Sequence, residues 1–274
     1  MNFLTNDGIK INYHVKGNGK PLIFVTGFGG HQEIWKLQVD YFSGLGYQVI
    51  TYDHRNFGRS ERTKKGHTLN RLTYDLIELV EHLGIKKTAF IGHSMGGSVL
   101  YNLIRLKPNI IQLAVIIDQT PFMINTADWK YGFMNYTVNN YIEKAKKSPN
   151  VHETLHGLDD RVMPGLNGAK ATHPFNRTDN FDLLCEHVTK DWRKVVQNVS
   201  MPILAVAAIH SPYYNSAFTS WMIQQNNNVK VALVDNSGHD IMAEVPDHFN
   251  KILYNFLLEN HYVNCNNKLN TYAV

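Results

Sequence analysis

Apolar residues along the chain gather into short runs separated by polar stretches: "KINYHV", "PLIFVTG", "YQVITYD", "TAFIGHS", "LAVIID", "PILAVAA" and "VKVALVD". Most are nearly continuous rather than alternating, the pattern of strands buried on both faces. Between them the spacing becomes helical. "LTYDLIELVEHLG" places Leu72, Leu76, Leu79 and Leu83 on one face and stops at Gly84, a helix C-terminal signal. "PDHFNKILYNFLLEN", residues 246–260, begins near Pro246 and turns Phe249, Leu253, Phe256 and Leu257 inward, predicting a final helix. Strands alternating with helices predict an α/β domain, a mostly parallel sheet flanked by helices.

The alternation breaks between residues 121 and 190. That segment holds Trp129, Tyr131, Phe133, Met134, Tyr136 and Tyr141, then Pro164, Gly165, Gly168 and Pro174, with no convincing buried strand. It is too long for a simple connection between core strands. The expected organisation is a core in two parts, 1–120 and 191–274, with 121–190 as a helical cap over the sheet. The last residues, "VNCNNKLNTYAV", lie beyond the final helix and are expected to be poorly ordered.

Composition narrows the class. With 43% hydrophobic and 18% charged residues and a net charge of +4, the chain reads as an ordinary globule. Lys and Arg are interspersed with Asp and Glu, so no nucleic-acid partner is expected; "KAKK" at 144–147 reads as a solvated helix face. No run is long and apolar enough for a membrane span, and the first residues lack a basic-then-apolar signal, so a cytoplasmic location is expected. Cys185 and Cys265 have no metal or redox spacing and are read as free thiols. No cofactor or metal is expected.

One corner carries chemistry. In "FIGHSMGGSVLYNLI", residues 90–104, an apolar strand meets a helix through a turn crowded with glycine. Ser94 there must take a strained backbone angle that raises its hydroxyl above the sheet, and side chains at 92 and 96 would collide with neighbouring backbone. "GHSMG" is a G-x-S-x-G nucleophile elbow in the required strand-to-helix context. On these residues the chain resembles the α/β-hydrolase superfamily, with a helical cap.

The resemblance covers nearly everything except the insertion and the tail. It places an oxyanion loop at "VTGFGG", residues 25–30, with Thr26 where relatives often have His, and assigns the backbone N–H groups of Phe28 and Met95 as donors. "YDHRNFGRS", 52–60, looks like the family's D-x-R-G-x-G-x-S turn, with Asn56 replacing a glycine; Asn tolerates positive φ, and Asp53 and Arg55 are read as structural. The general base implied is His239, in "NSGHDIMAEVP" after the last strand. His93 reads as packing or hydrogen bonding, and His31, His54 and His210 also fall near strand ends.

The acid is displaced. Relatives carry it after the seventh strand, where this chain reads "PILAVAAIHSPYY" with Ser211 at the carboxylate position. A serine–histidine pair without an acid loses orders of magnitude in rate, so another carboxylate is required. Asp118, ending "AVIID", is the candidate, with Asp235 and Asp240 as the other possibilities.

The resemblance implies a serine hydrolase of carboxylic esters working through an acyl-enzyme, with Ser94, His239 and Asp118 as triad. The aromatic residues of 122–141 favour small to medium hydrophobic acyl groups, although a packed subdomain core explains them equally well. Open alternatives are C–C bond, thioester or lactone hydrolysis, cofactor-free perhydrolase or haloperoxidase chemistry, and a catalytically weak ligand receptor. Dehalogenation is disfavoured, because its relatives use an aspartate nucleophile.

Overall fold

The computed structural model describes residues 1–263. Its strands are β1 (Asn2–Leu4), β2 (Lys10–Lys16), β3 (Pro21–Val25), β4 (Gln48–Tyr52), β5 (Thr88–His93), β6 (Ile111–Ile117), β7 (Ile203–Ala208) and β8 (Val229–Val234). They form one sheet in the order β1-β2-β4-β3-β5-β6-β7-β8. The β1–β2 and β2–β4 pairs are antiparallel, and β4 through β8 run parallel. Strand β1 was not foreseen: it is three residues long with one buried side chain, Phe3, too short to show a period.

The helices are α1 (Lys36–Gly44), α2 (Leu69–His82), α3 (Met95–Leu106), α4 (Tyr141–Ala145), α5 (Met163–Thr172), α6 (Phe181–Thr189), α7 (Arg193–Asn198), α8 (Phe218–Gln225), α9 (Ile241–Glu244) and α10 (Pro246–Glu259). Helix α2 starts three residues before the predicted leucine stripe, because the Thr68 side chain accepts the Arg71 N–H and caps it.

Continuous apolar strands feed two cores. In β3, Ile23 and Val25 face the core shared with Leu72, Leu76 and Leu79 of α2 and Val99 and Leu103 of α3. Leu22 and Phe24 face the opposite core, with Phe42 of α1 and Phe249, Leu253, Phe256 and Leu257 of α10. Each such side chain contributes about 1.5–3 kcal/mol on burial, so both faces must be covered, and these strands show no polar–apolar alternation. Among the described residues no helix is long and apolar enough to cross a membrane.

Residues 121–190 leave between β6 and β7. Phe122 and Asp191 form an isolated antiparallel bridge, and the Trp192 N–H donates to Pro121 O at 2.8 Å, so the insertion's two ends are pinned together. Its regular elements are helices, α4 to α6, but residues 121–140 are irregular. The aromatic side chains there hold a loop rather than a helix: Trp129 packs edge-on against Tyr131 and Trp221, and Phe133 stacks on Tyr213. "KAKK" closes and follows α4. Cys185 is a free thiol; Cys265 and the tail from residue 264 lie outside the described residues.

Candidate active site

Register brings the site together. His93 of β5 pairs with Ile117 of β6, and Ile117 pairs with Val206 of β7. The next residues, Ser94 and Asp118, therefore leave the sheet side by side at its carboxyl edge, and the Ser94 N–H donates to Ile117 O at 2.9 Å. Both stand in the left-handed region, Ser94 at φ 52 and Asp118 at φ 44, a cost tolerated where the surroundings fix the backbone.

The glycines beside Ser94 answer to close approach. A Cβ on Gly92 would lie 2.6 Å from Gly96 O, and one on Gly96 would lie 2.3 Å from Val25 O. Helix α3 thus starts tight against β3 and β5, and Met95 is its first residue. Neither the Met95 N–H nor the Phe28 N–H has a hydrogen-bond partner among the described residues.

His239 sits after β8, and its Nδ1–H donates to Asp118 Oδ2 at 2.7 Å. That leaves Nε2 as the ring's acceptor in the neutral form. Asp118 is fully buried and accepts two further hydrogen bonds, from Ala208 N–H at 3.2 Å and from the Ser211 hydroxyl at 2.6 Å. Ser211, the residue standing where a carboxylate was expected, is thus a donor to the carboxylate one strand away. Nothing in the sequence around Ser211 announces this role, which depends on the spatial adjacency of the β6 and β7 strand ends.

The His239 loop is clamped by the insertion. The His239 N–H donates to Glu153 O at 2.6 Å, and Gly238 lies so close to Glu153 O that a Cβ would fall 2.3 Å from it. Glu244 accepts from the N–H groups of Leu155, His156 and Gly238 at 2.7, 2.6 and 2.8 Å. The contacts of Leu155 and His156 with Glu244 span some 90 positions of chain, beyond any local pattern.

Electrostatics favour a charged imidazole. Burial pushes the His239 pKa down, but the hydrogen bond and charge of Asp118, with Asp240 and Glu153 nearby, outweigh it and leave the pKa above its ordinary value. Burial pushes Asp240 up to about 6. His93 packs its ring 4.5 Å from that of His239 and donates Nε2–H to His239 O at 3.1 Å; burial and the neighbouring imidazole hold its pKa well below the usual range. Asp235 lies away from this arrangement, exposed and paired with His210 at 2.9 Å.

Ser94, His239, Phe28 and His31 line one cavity of ≈ 570 Å³. Ser94 Oγ has no hydrogen-bond partner among the described residues. Phe133, Tyr136 and Met123 contribute apolar wall, whereas Trp129 does not reach the cavity. The rest of the lining mixes aliphatic side chains such as Leu158, Leu166, Leu184 and Val188 with the charged Arg177, Lys170, Glu153 and Asp240. His54 is buried behind the loop, its Nε2 3.2 Å from Thr26 O. Asp53 accepts the Gln32 and Arg59 N–H groups at 2.9 Å each, bracing the loop that carries Phe28. Among the described residues no His, Cys, Asp and Glu cluster is arranged to hold a metal.

Comparison with known proteins agrees with this architecture. A haloperoxidase described as non-heme, from Rhodococcus erythropolis, is 33% identical over 129 residues, 46% of this chain and 47% of that one; the match spans about half of the relative's length. A bifunctional esterase/perhydrolase from Acinetobacter calcoaceticus is 25% identical over 217 residues, 73% of this chain and 78% of its own. An esterase from Exiguobacterium antarcticum superposes with a TM-score of 0.82 at 16% identity, covering 94% of this chain and 99% of that one. The family model for the alpha/beta hydrolase fold matches residues 20–246, and the chain belongs to that family.

Proposed function

We propose that the protein is a serine hydrolase of carboxylic esters, with Ser94 as nucleophile, His239 as general base and acid, and Asp118 as the carboxylate that orients the imidazole. The observation that carries this reading is the 2.7 Å contact between His239 Nδ1 and Asp118 beside a serine at φ 52 on the same cavity. Ser94 Oγ attacks the ester carbonyl while its proton passes to His239 Nε2, across a hydrogen bond that forms when substrate binds. The tetrahedral oxyanion takes hydrogen bonds from the free N–H groups of Phe28 and Met95, each worth roughly 3 kcal/mol of barrier. His239 then gives its proton to the departing alkoxide. Water, activated by the same imidazole, cleaves the acyl-enzyme and restores Ser94. Residues 121–190 act as a cap whose Glu153 segment fixes the His239 loop.

A panel of para-nitrophenyl esters of graded acyl length tests this. Turnover of at least one, abolished in Ser94→Ala with the fold retained, is expected. Equal turnover by both proteins would overturn it. A second reading, acyl transfer to hydrogen peroxide in place of water, draws on the haloperoxidase and esterase/perhydrolase relatives and is tested by peracid formation from an acyl donor and peroxide.

A further inference from the structure

Arg177 stands apart from most arginines of this chain. Arg55, Arg59, Arg71, Arg161 and Arg193 each have a carboxylate partner. Arg177 lines the cavity and has none among the described residues. Its Nε–H donates to Ala145 O at 3.1 Å, and its guanidinium carbon lies 5.5 Å from the centroid of the Phe28 ring, so the group is stacked on the residue that supplies an oxyanion donor. Nη1 and Nη2, the pair that grips a carboxylate in parallel, have no partner among the described residues.

Glu153 and Asp240 line the same cavity, but among the described residues no carboxylate pairs with the Arg177 guanidinium. The acidic groups whose charge bears on Arg177 are Tyr136, Tyr213 and Cys185, and burial pushes all three up, so they are neutral near pH 7. Tyr213 already donates its hydroxyl to Glu153 at 2.6 Å, which commits that cavity carboxylate elsewhere. Two further imidazoles of the lining, His31 and His187, are buried with Nδ1 unpartnered among the described residues. A half-buried cation with a free fork, in a wall that also leaves ring nitrogens unpaired, fits a polar ligand better than an alkyl chain.

We propose that Arg177 is a specificity-determining residue that binds a carboxylate carried by the ester, remote from the carbonyl that Ser94 attacks. This rests on the hydrolase reading above and replaces the hydrophobic acyl groups expected from the sequence with an anionic substrate class. The carboxylate can sit on the acyl or on the alcohol side, and two probe pairs separate these: mono-para-nitrophenyl adipate against para-nitrophenyl hexanoate, and para-acetoxybenzoate against its methyl ester. The ratio of kcat/KM for charged over neutral ester is measured in each pair. In Arg177→Gln that ratio falls roughly 10- to 100-fold for one pair, the worth of a charge-assisted hydrogen bond, and Arg177→Lys, which keeps the charge but not the fork, recovers part. Ratios unmoved in both pairs overturn the proposal. Calorimetry of adipate and benzoate binding to Ser94→Ala, with and without Arg177→Gln, needs no turnover. Binding that the Arg177 change weakens at least about tenfold supports the anion site, even where no ester is hydrolysed and the hydrolase reading alone fails. Binding to both proteins equally, or to neither, overturns the anion site.

Discussion

Two groups of buried charge follow the carboxyl ends of parallel strands in one sheet, and they are built on opposite lines. After β4, Arg55 is closed on every side: Nε and Nη2 donate to Asp75 at 2.7 Å each, and Nη1 and Nη2 donate to Asp7 at 2.9 Å each. Lys65 O takes a further contact. After β3, β5, β6 and β8, the cavity group keeps donors and acceptors open: the N–H groups of Phe28 and Met95, Nε2 of His239, the hydroxyl of Ser94 and the fork of Arg177. Charge that the chain satisfies from within holds a corner in place, whereas charge left open at a cavity is available to a ligand.

The largest expected separation between the two groups comes from Asp118→Asn. A His–Asn pair fixes the wrong tautomer, and kcat should fall about 10⁴-fold with circular dichroism unchanged. The pH profile should move as well. Catalysis needs neutral His239, and its raised pKa means that kcat/KM declines as pH falls through a value above that of an ordinary histidine. Asp118 supplies the main upward influence against burial, so the acid limb should shift to lower pH in Asp118→Asn. An acid limb that stays in place would detach Asp118 from the imidazole.

Arg55→Gln should act on stability instead. It leaves the fully buried Asp75 with the half-buried Arg71 as its one remaining charged partner among the described residues and is expected to cost roughly 3 kcal/mol in urea unfolding, with kcat per folded molecule close to the parent's. A loss of kcat without a loss of stability would erase the distinction between the groups.

Ser211→Ala sharpens the comparison inside the cavity group. Removing the 2.6 Å donor to Asp118 should lower kcat about 10-fold, acting through carboxylate position, with KM held and Ser211→Thr recovering much of the loss. Asp235→Asn, which alters only an exposed pair with His210, should change kcat by no more than about twofold, measured on the same ester.

The parts of this arrangement that local chemistry dictates were readable from the residues. Continuous apolar runs showed strands covered on both faces, and a serine between glycines at a strand-to-helix junction showed the elbow. An apolar strand ending in Asp118 pointed to the carboxylate that the structure sets beside His239, because few other roles suit a carboxylate there. What escaped notice depends on contacts distant in sequence. The irregular course of residues 121–140 is set by Trp129 and Phe133 packing on Trp221 and Tyr213, none of which leaves a helical or strand period. The Glu153 clamp on His239 and the placement of Arg177 over Phe28 likewise join a loop to distant core. Ser211 was legible as a missing carboxylate but not as a hydrogen-bond donor to the one that replaces it.

The most direct test is labelling with a fluorophosphonate probe followed by peptide mass spectrometry. Expected is a single adduct on the peptide carrying Ser94, formed rapidly in the parent and slowed by about two orders of magnitude or more in His239→Ala, in line with the loss of a general base. Labelling of Ser94 at the same rate in both proteins, or of a different serine altogether, would contradict an activated Ser94.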